Sequence, residues 1–222
     1  MVSPKVAVEH LTGRKSAPQN EELTLTAARV EEIFTSAEHE FLRYQRTGTN
    51  ARARQMRDTI QMSFASIGSD LLQTVRAAEP MLHQVGNADA TSRPAPNKWS
   101  KKEILAHLID SASNNHQRFV RAATQGNLEF PGYDQEKLVV LQNANGASWE
   151  LVIELWSAYN RYLAHVLQQL PESSAQIQCS IAGRPPVTLV WLAGDYVEHL
   201  KHHLNQILGN KFQTGWTLSA SM

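Results

Sequence analysis

Residues 99–119 read WSKKEILAHLIDSASNNHQRF. Ser100 and Glu103 make the S-x-x-E pattern, in which a hydroxyl and a carboxylate each satisfy an amide that a helix start leaves unpaired. A helix is therefore predicted to begin at Lys101, and the pattern carries it to about residue 123. On a wheel of 100° per residue, Ile104, Leu108 and Phe119 define an apolar arc. His107 sits on the edge of that arc. Ser111 and Arg118 follow it on the same side, and Asn115 falls inside the arc, where a polar side chain needs a partner or a function.

Working outward, three more segments share this helical spacing. Upstream, Met56, Ile60, Phe64, Ile67, Leu71 and Val75 recur at three- and four-residue steps, and Pro80 is expected to end or kink that helix. Residues 86–98 (GNADATSRPAPNK) read as a loop by composition. Downstream, 125–135 breaks the pattern, and 124–147 is read as one long crossover. Ser148 then caps a helix whose stripe is Val152, Leu155, Trp156, Tyr159, Tyr162, Leu163, Val166, Leu167 and Leu170, stopped by Pro171. A short hairpin is expected around Gly183-Arg184, weakened by Pro185-Pro186. Thr188 caps a last helix that ends near Gly209, a usual residue just past a helix end. Trp99, Trp149, Trp156 and Trp191 are read as core anchors. The reading is all-α: a four-helix bundle with up-down-down-up or related connectivity, preceded by an amphipathic helix at 21–46 and a Pro- and Ser-rich arm over 1–20.

The last helix contains YVEHLKHHLNQIL, residues 196–208. With His199 at zero, His203 falls at about 40°, Tyr196 at about 60° and Leu200 at about 100°. His199 and His203 thus join the apolar arc, one turn apart, as two ligands of one ion require. His202, at about 300°, points to solvent. A pair H-x-x-x-H arises by chance fairly often in a chain with 9 histidines, and a lone inward histidine is more often a core residue. Three inward histidines on two helices of a bundle carry more weight, because bundles build metal sites from facing helices. His199 is followed by Leu200 rather than Glu, so the H-E-x-x-H protease pattern is absent.

The bulk numbers narrow the function. Lys+Arg and Asp+Glu are 21 each, giving a formal net charge of +0. That removes any electrostatic case for nucleic acid or an anionic membrane. The longest apolar run, 187–194, is too short to span a bilayer, and the first residues lack the apolar core of a signal peptide. Cys179 is the single cysteine, which excludes an internal disulfide and a CxxC metal site and makes the cytoplasm the expected location. It lacks a basic neighbour at helical spacing and is a poor nucleophile candidate.

WSKKEILAHLIDS, followed much later by DYVEHLKHHLNQI, resembles the DinB/YfiT-like superfamily, over about residues 62–210. Members are four-helix bundles that hold a divalent metal through three histidines. One stands in a W-S-x-x-E-x-x-x-H-L context on the second bundle helix, and two stand as H-x-x-x-H-x-x-Q-I on the fourth. The resemblance implies His107, His199 and His203 as ligands, the same three that the wheel turns inward. FPGYDQ (130–135) is similar to the connection between helices two and three of the YfiT-like branch. The family's usual metal is nickel or zinc, its members include thiol-dependent transferases and isomerases, and others are described as metal-dependent hydrolases.

The expected domains are an N-terminal arm over 1–51, a DinB-like bundle over 52–210 and a C-terminal tail over 211–222. Met56 or Met62 offers an alternative start of translation, against which the helical pattern at 21–46 speaks. Three imidazoles leave coordination positions open, the mark of a catalytic rather than a structural site. The function read from this is a divalent-metal-dependent enzyme, hydrolase or thiol transferase, acting on a small molecule that includes a low-molecular-weight thiol among its candidates. A non-catalytic metal-binding or dimerising stress-related module is the alternative, and a homodimer stays open. Asp195, one turn before His199, is a candidate to receive an imidazole N–H, or else a solvated acid. Asn115, Tyr196 and Ser111 are candidates to face a ligand; Asn115 and Tyr196 are also common fillers of a bundle core. Arg118 is a candidate to neutralise an anionic substrate or to pair with a surface acid.

Overall fold

The computed structural model describes residues 62–215. The expected arm and helix over 1–46, the stripe positions Met56 and Ile60, and residues 216–222 lie outside the described residues. Four long helices follow in order: α1 (Phe64–Leu82), α3 (Lys101–Gln125), α5 (Trp149–Gln169) and α6 (Leu189–Leu208), with short helices α2 (Asn87–Thr91) and α4 (Gln135–Gln142) between them. Three strands, β1 (Leu128–Phe130), β2 (Gln178–Ile181) and β3 (Val187–Thr188), complete the elements that position the site.

Side-chain caps set the starts of all four long helices. Ser63, Ser100, Ser148 and Thr188 each accept an amide of the first turn, and Ser100 and Glu103 form the reciprocal box. Pro80 sits inside the final turn of α1, which ends two residues later. The α1 start also leans on α5's end, because Phe64 N–H donates to Glu172 Oε1 at 3.0 Å.

α1 packs on α5 and α6, and α3 packs on the same two, so α1 and α3 sit diagonally across the bundle. Gly68 near the start of α1 meets Ala164 near the end of α5, and Trp149 Nε1 donates to Leu82 O at the opposite end. α1 and α5 are therefore antiparallel. Lys201 pairs with Asp70 at 2.6 Å while Gly194 meets Met62, so α1 and α6 run parallel. His107 early in α3 lies beside His199 late in α6, and those helices are antiparallel. The connectivity is up-down-down-up. It leaves α3 and α5 parallel, which only a long crossover can connect.

That crossover is more ordered than its composition suggests. β1 pairs in parallel with β2, Leu128 opposite Cys179 and Phe130 opposite Ile181, and β2 pairs antiparallel with β3. The hairpin falls where expected: Ala182 and Gly183 both take positive φ (53° and 69°), and Arg184 N–H returns to Ile181 O. Pro185 and Pro186 have no amide to donate, so the ladder resumes only at Val187. α4 went unread because only Val139 of its eight residues is buried, and one buried position makes no stripe. α2, also read as loop, turns Ala90 into the core and offers Asn87 Oδ1 to Lys102 Nζ.

The α5 stripe needs one correction. Leu155 and Tyr162 are 50% and 55% exposed, while Ile153, Ser157, Asn160 and Ala164 point inward beside Trp156, Leu163 and Leu167. The inward arc includes small and polar residues that a hydrophobicity reading passes over. Trp149 and Trp156 are core anchors as expected, whereas Trp99 and Trp191 are only partly buried.

Candidate metal centre

α3 and α6 bring three imidazoles together at one level of the bundle. His107 Nε2 lies 3.3 Å from His199 Nε2. Ring centroids are 4.9 Å apart for His107 and His203 and 4.5 Å apart for His199 and His203. One ligand nitrogen of each lies within 4.8 Å of the others, and the group contains no carboxylate or thiol. His107 is buried; His199 and His203 keep some surface on one side and protein on the rest.

All three rings are held neutral. Burial pushes the His107 pKa down to about 4. Burial, then the neighbouring imidazoles, holds His199 well below the ordinary range, and His203 is lowered the same way. Neutral imidazole is the ligating form. Two nitrogens bound at about 2.05 Å to one tetrahedral ion stand roughly 3.3 Å apart, the spacing that His107 and His199 already have. The donor set thus fits a divalent metal.

Two of the rings have a setting that the neighbouring residues define. His203 Nδ1 lies 2.8 Å from Gln206 Oε1, which leaves Nε2 as the nitrogen free to face the cluster. Gln206 Nε2 in turn lies 3.1 Å from His202 Nε2. His202 is outside the cluster, as the wheel requires, but it supports the amide behind His203 rather than facing solvent alone. His107 Nδ1 is buried with no hydrogen-bond partner among the described residues, so packing orients that ring: Trp99 lies against it with centroids 5.1 Å apart. Trp99 is itself held by Glu136 Oε2, which accepts its indole N–H at 3.1 Å.

These observations decide the family. The DinB superfamily matches residues 70–207, more than half of the chain, and the histidine cluster lies within that span. The chain belongs to the DinB superfamily. A solved structure of YfiT from Bacillus subtilis, described as a "probable metal-dependent hydrolase with an unusual four-helix bundle topology", superposes with a TM-score of 0.54. It is 20% identical, and the match covers 63% of this chain and 83% of that one. No curated protein matches the chain. The shared fold and the three-histidine cluster fit a metal-dependent role for this DinB protein.

The other candidate residues separate. Ser111 and Asn115 are buried beneath His107 on α3, and Asn115 Nδ2 donates to Ser111 O at 2.9 Å. Arg118 is buried too and donates to Asn115 Oδ1 at 3.3 Å; it pairs with no surface acid among the described residues. Tyr196 takes the core-filling place: its hydroxyl bonds Asn160 Oδ1 deep in the core, with Phe119 edge-on to its ring. Asp195 makes no hydrogen bond to an imidazole among the described residues and is not a solvated acid either. Burial, and then Glu198, raises its carboxyl to about 7. Asp110 accepts a hydrogen bond from Gln142 Nε2, at the end of α4, at 2.8 Å. His116 bonds Tyr159 away from the cluster. Cys179 is a buried free thiol, raised further from reactivity by burial.

Three contributors escaped the sequence reading. Gln206 had a signal, standing three residues after His203. Trp99 had one as well, standing two turns before His107, but a tryptophan reads first as core. Tyr133, whose ring centroid lies 5.9 Å from the Arg118 guanidinium, had none beyond its motif, because it stands in the loop between β1 and α4.

Proposed function

We propose that this DinB protein is a divalent-metal-dependent hydrolase of a small molecule, with nickel or zinc held by His107, His199 and His203. The observation that carries the reading is the convergence of three neutral imidazoles on one point without a fourth protein ligand among the described residues. Such a donor set leaves room for a reacting group. When bound, the ion supplies Lewis acidity toward water, a carbonyl or a thiol.

The chain's own groups prepare the site. Gln206 keeps the His203 proton on Nδ1, so the other nitrogen stays available. Trp99 excludes water from the back of His107. Burial keeps the imidazoles unprotonated below neutral pH. The description of YfiT as a metal-dependent hydrolase supports hydrolysis. Transfer of a low-molecular-weight thiol is the second reading, favoured because no carboxylate among the described residues belongs to the cluster to act as a base. No helix among the described residues is long and apolar enough to cross a membrane, and the unpaired Cys179 suits a reducing cytoplasm.

The test has two parts. Metal content of the wild type is compared with His203→Ala and His202→Ala; the first loses the ion and the second keeps it. Ester, amide and low-molecular-weight thiol substrates are then offered to zinc- and nickel-loaded protein and to the His107→Ala/His203→Ala double variant. Turnover confined to the wild type supports an enzyme. Tight metal binding without turnover supports the non-catalytic module.

A further inference from the structure

Leu151, Leu155, Ala158 and Tyr162 stand in a row on the outer side of α5, away from α1 and α3, on which that helix packs. Leu151, Leu155 and Tyr162 are 55%, 50% and 55% exposed, and Ala158 is exposed as well. At 100° per residue the four fall within about 60° of arc, and the helix carries them over about 16 Å. Scattered apolar residues on a surface are ordinary, but a continuous row marks a contact surface. α3 widens the row. His116 lies edge-on to Tyr162, with ring centroids 5.7 Å apart, and Val120, one turn further along α3, is 36% exposed.

The row reads the same from either end, with steps of 4, 3 and 4 residues. A two-fold axis between Leu155 and Ala158 therefore lays it on its own copy running the other way. Leu151 then meets Tyr162, and Leu155 meets Ala158. These steps are those of the apolar seam between coiled helices, and the small Ala158 at the centre lets the two helix axes come close.

The charges beside the row follow the same axis. Glu154 and Arg161 lie together on one flank, roughly 70–90° from the middle of the row. Both are exposed, and neither has an ion pair among the described residues. Glu150, held by His83 at 3.1 Å, stands one turn before Glu154 on that flank. A two-fold axis across antiparallel helices sets like flanks together. Arg161 thus falls between Glu150 and Glu154 of the second copy, about 3 Å out of step with each along the helix. A parallel pairing would turn this flank toward the Tyr159 side of the other helix and leave Glu154 and Arg161 unmatched.

We propose that this face binds a second copy of the chain, with α5 antiparallel against α5, Leu155 opposite Ala158, and Glu154 opposite Arg161 on both sides of the axis. An interface of this kind uses one patch twice, so every residue in it acts twice. None of the three histidines belongs to the face, and the pairing is independent of the metal-dependent reading.

The experiment is analytical ultracentrifugation of the full chain over a range of concentrations, with circular dichroism as the check on folding. The wild type is expected to sediment as a dimer, twice the 24.8 kDa of one chain, at tens of micromolar. Leu155→Glu and Ala158→Glu, both at exposed positions, keep the helical spectrum and weaken the dimer at least a hundredfold. Arg161→Glu weakens it at least tenfold, because like charges then meet on both sides of the axis. Adding Glu154→Arg to Arg161→Glu restores most of that loss. Zinc affinity is the same in all of these variants. A wild type that stays monomeric at tens of micromolar overturns the proposal. So does a dimer that Leu155→Glu and Ala158→Glu both leave intact, since its interface lies elsewhere. A double charge reversal that recovers nothing overturns the antiparallel pairing.

Discussion

Gln206 Oε1 lies 2.8 Å from His203 Nδ1, and the same amide reaches His202. An amide oxygen only accepts, so it selects the His203 tautomer with the proton on Nδ1. Removing such a partner costs about 10–100-fold in metal affinity in comparable sites. Gln206→Leu is expected to weaken zinc binding within that range, measured by competition with a chelator of known affinity. His202→Ala, which only frees the amide, is expected to cost a few-fold at most. Equal affinities for wild type and Gln206→Leu would show that the hydrogen bond does not set the ligand.

The metal-free protein is expected to be acid-labile in a defined window. His107 titrates at about 4 when folded against 6.5 when unfolded. The unfolded chain thus binds more protons between those values, and stability falls as pH drops from 6.5 toward 4. That single shift amounts to roughly 3 kcal/mol, and the depressed pKa values of His199 and His203 act in the same direction. Asp195 opposes them, because its carboxyl is raised to about 7 and its contribution is lost as pH rises through that value. Asp195→Asn should therefore steepen the rise of melting temperature between pH 4 and 6.5 and stabilise the protein above pH 7. A flat profile for metal-free wild type would contradict the neutral, buried imidazoles.

Caps and periodicity were enough to read the bundle, and the reasons are local. Ser63, Ser148 and Thr188 accept first-turn amides, and Ser100 and Glu103 do so reciprocally, whatever the rest of the chain does. The wheel turned His107, His199 and His203 to one side, and they meet in the structure because all three stand well inside long helices. It left Tyr196 open between site and core, because an angle on the arc cannot tell the two apart. The difference lies in Asn160, on another helix. It could not give Arg118's surroundings, since Tyr133 arrives from the loop that follows β1. Long-range contacts of that kind leave no period in the sequence.

A chain beginning at Arg52 is expected to fold and to bind zinc as the full protein does. Every residue placed at the metal centre lies at or beyond Trp99, and α1 carries its own cap at Ser63. The check is circular dichroism and a chelator competition on both forms. Loss of folding in the shorter one would move the boundary of the bundle upstream.

α1 and α5 approach closely at Gly68. A Cβ there would lie 2.7 Å from Ala164 O, which is backbone and cannot swing aside, and 2.7 Å from Gln168 Cγ. Gly68→Ala is expected to wedge the helices apart at a cost of about 1–3 kcal/mol, despite alanine's better helix propensity. Urea unfolding measures the loss. Zinc affinity should hardly change, because the histidines stand on α3 and α6.

Tyr196 and Asn160 make a buried hydrogen bond between α6 and α5, and Asn160 Nδ2 also donates to Trp156 O at 2.9 Å. Tyr196→Phe removes the only donor to Asn160 Oδ1 among the described residues and leaves a buried acceptor unpaired, for about 1–3 kcal/mol. Replacing both partners by apolar groups of similar size avoids that penalty, so Tyr196→Phe with Asn160→Leu should recover much of the loss. Urea unfolding of the two singles and the double gives the coupling. Zinc affinity should remain within about threefold throughout, since the tyrosine hydroxyl is spent in the core. If Tyr196→Phe leaves stability untouched but impairs metal binding or turnover, the residue belongs to the site after all, and the core assignment of that hydroxyl fails.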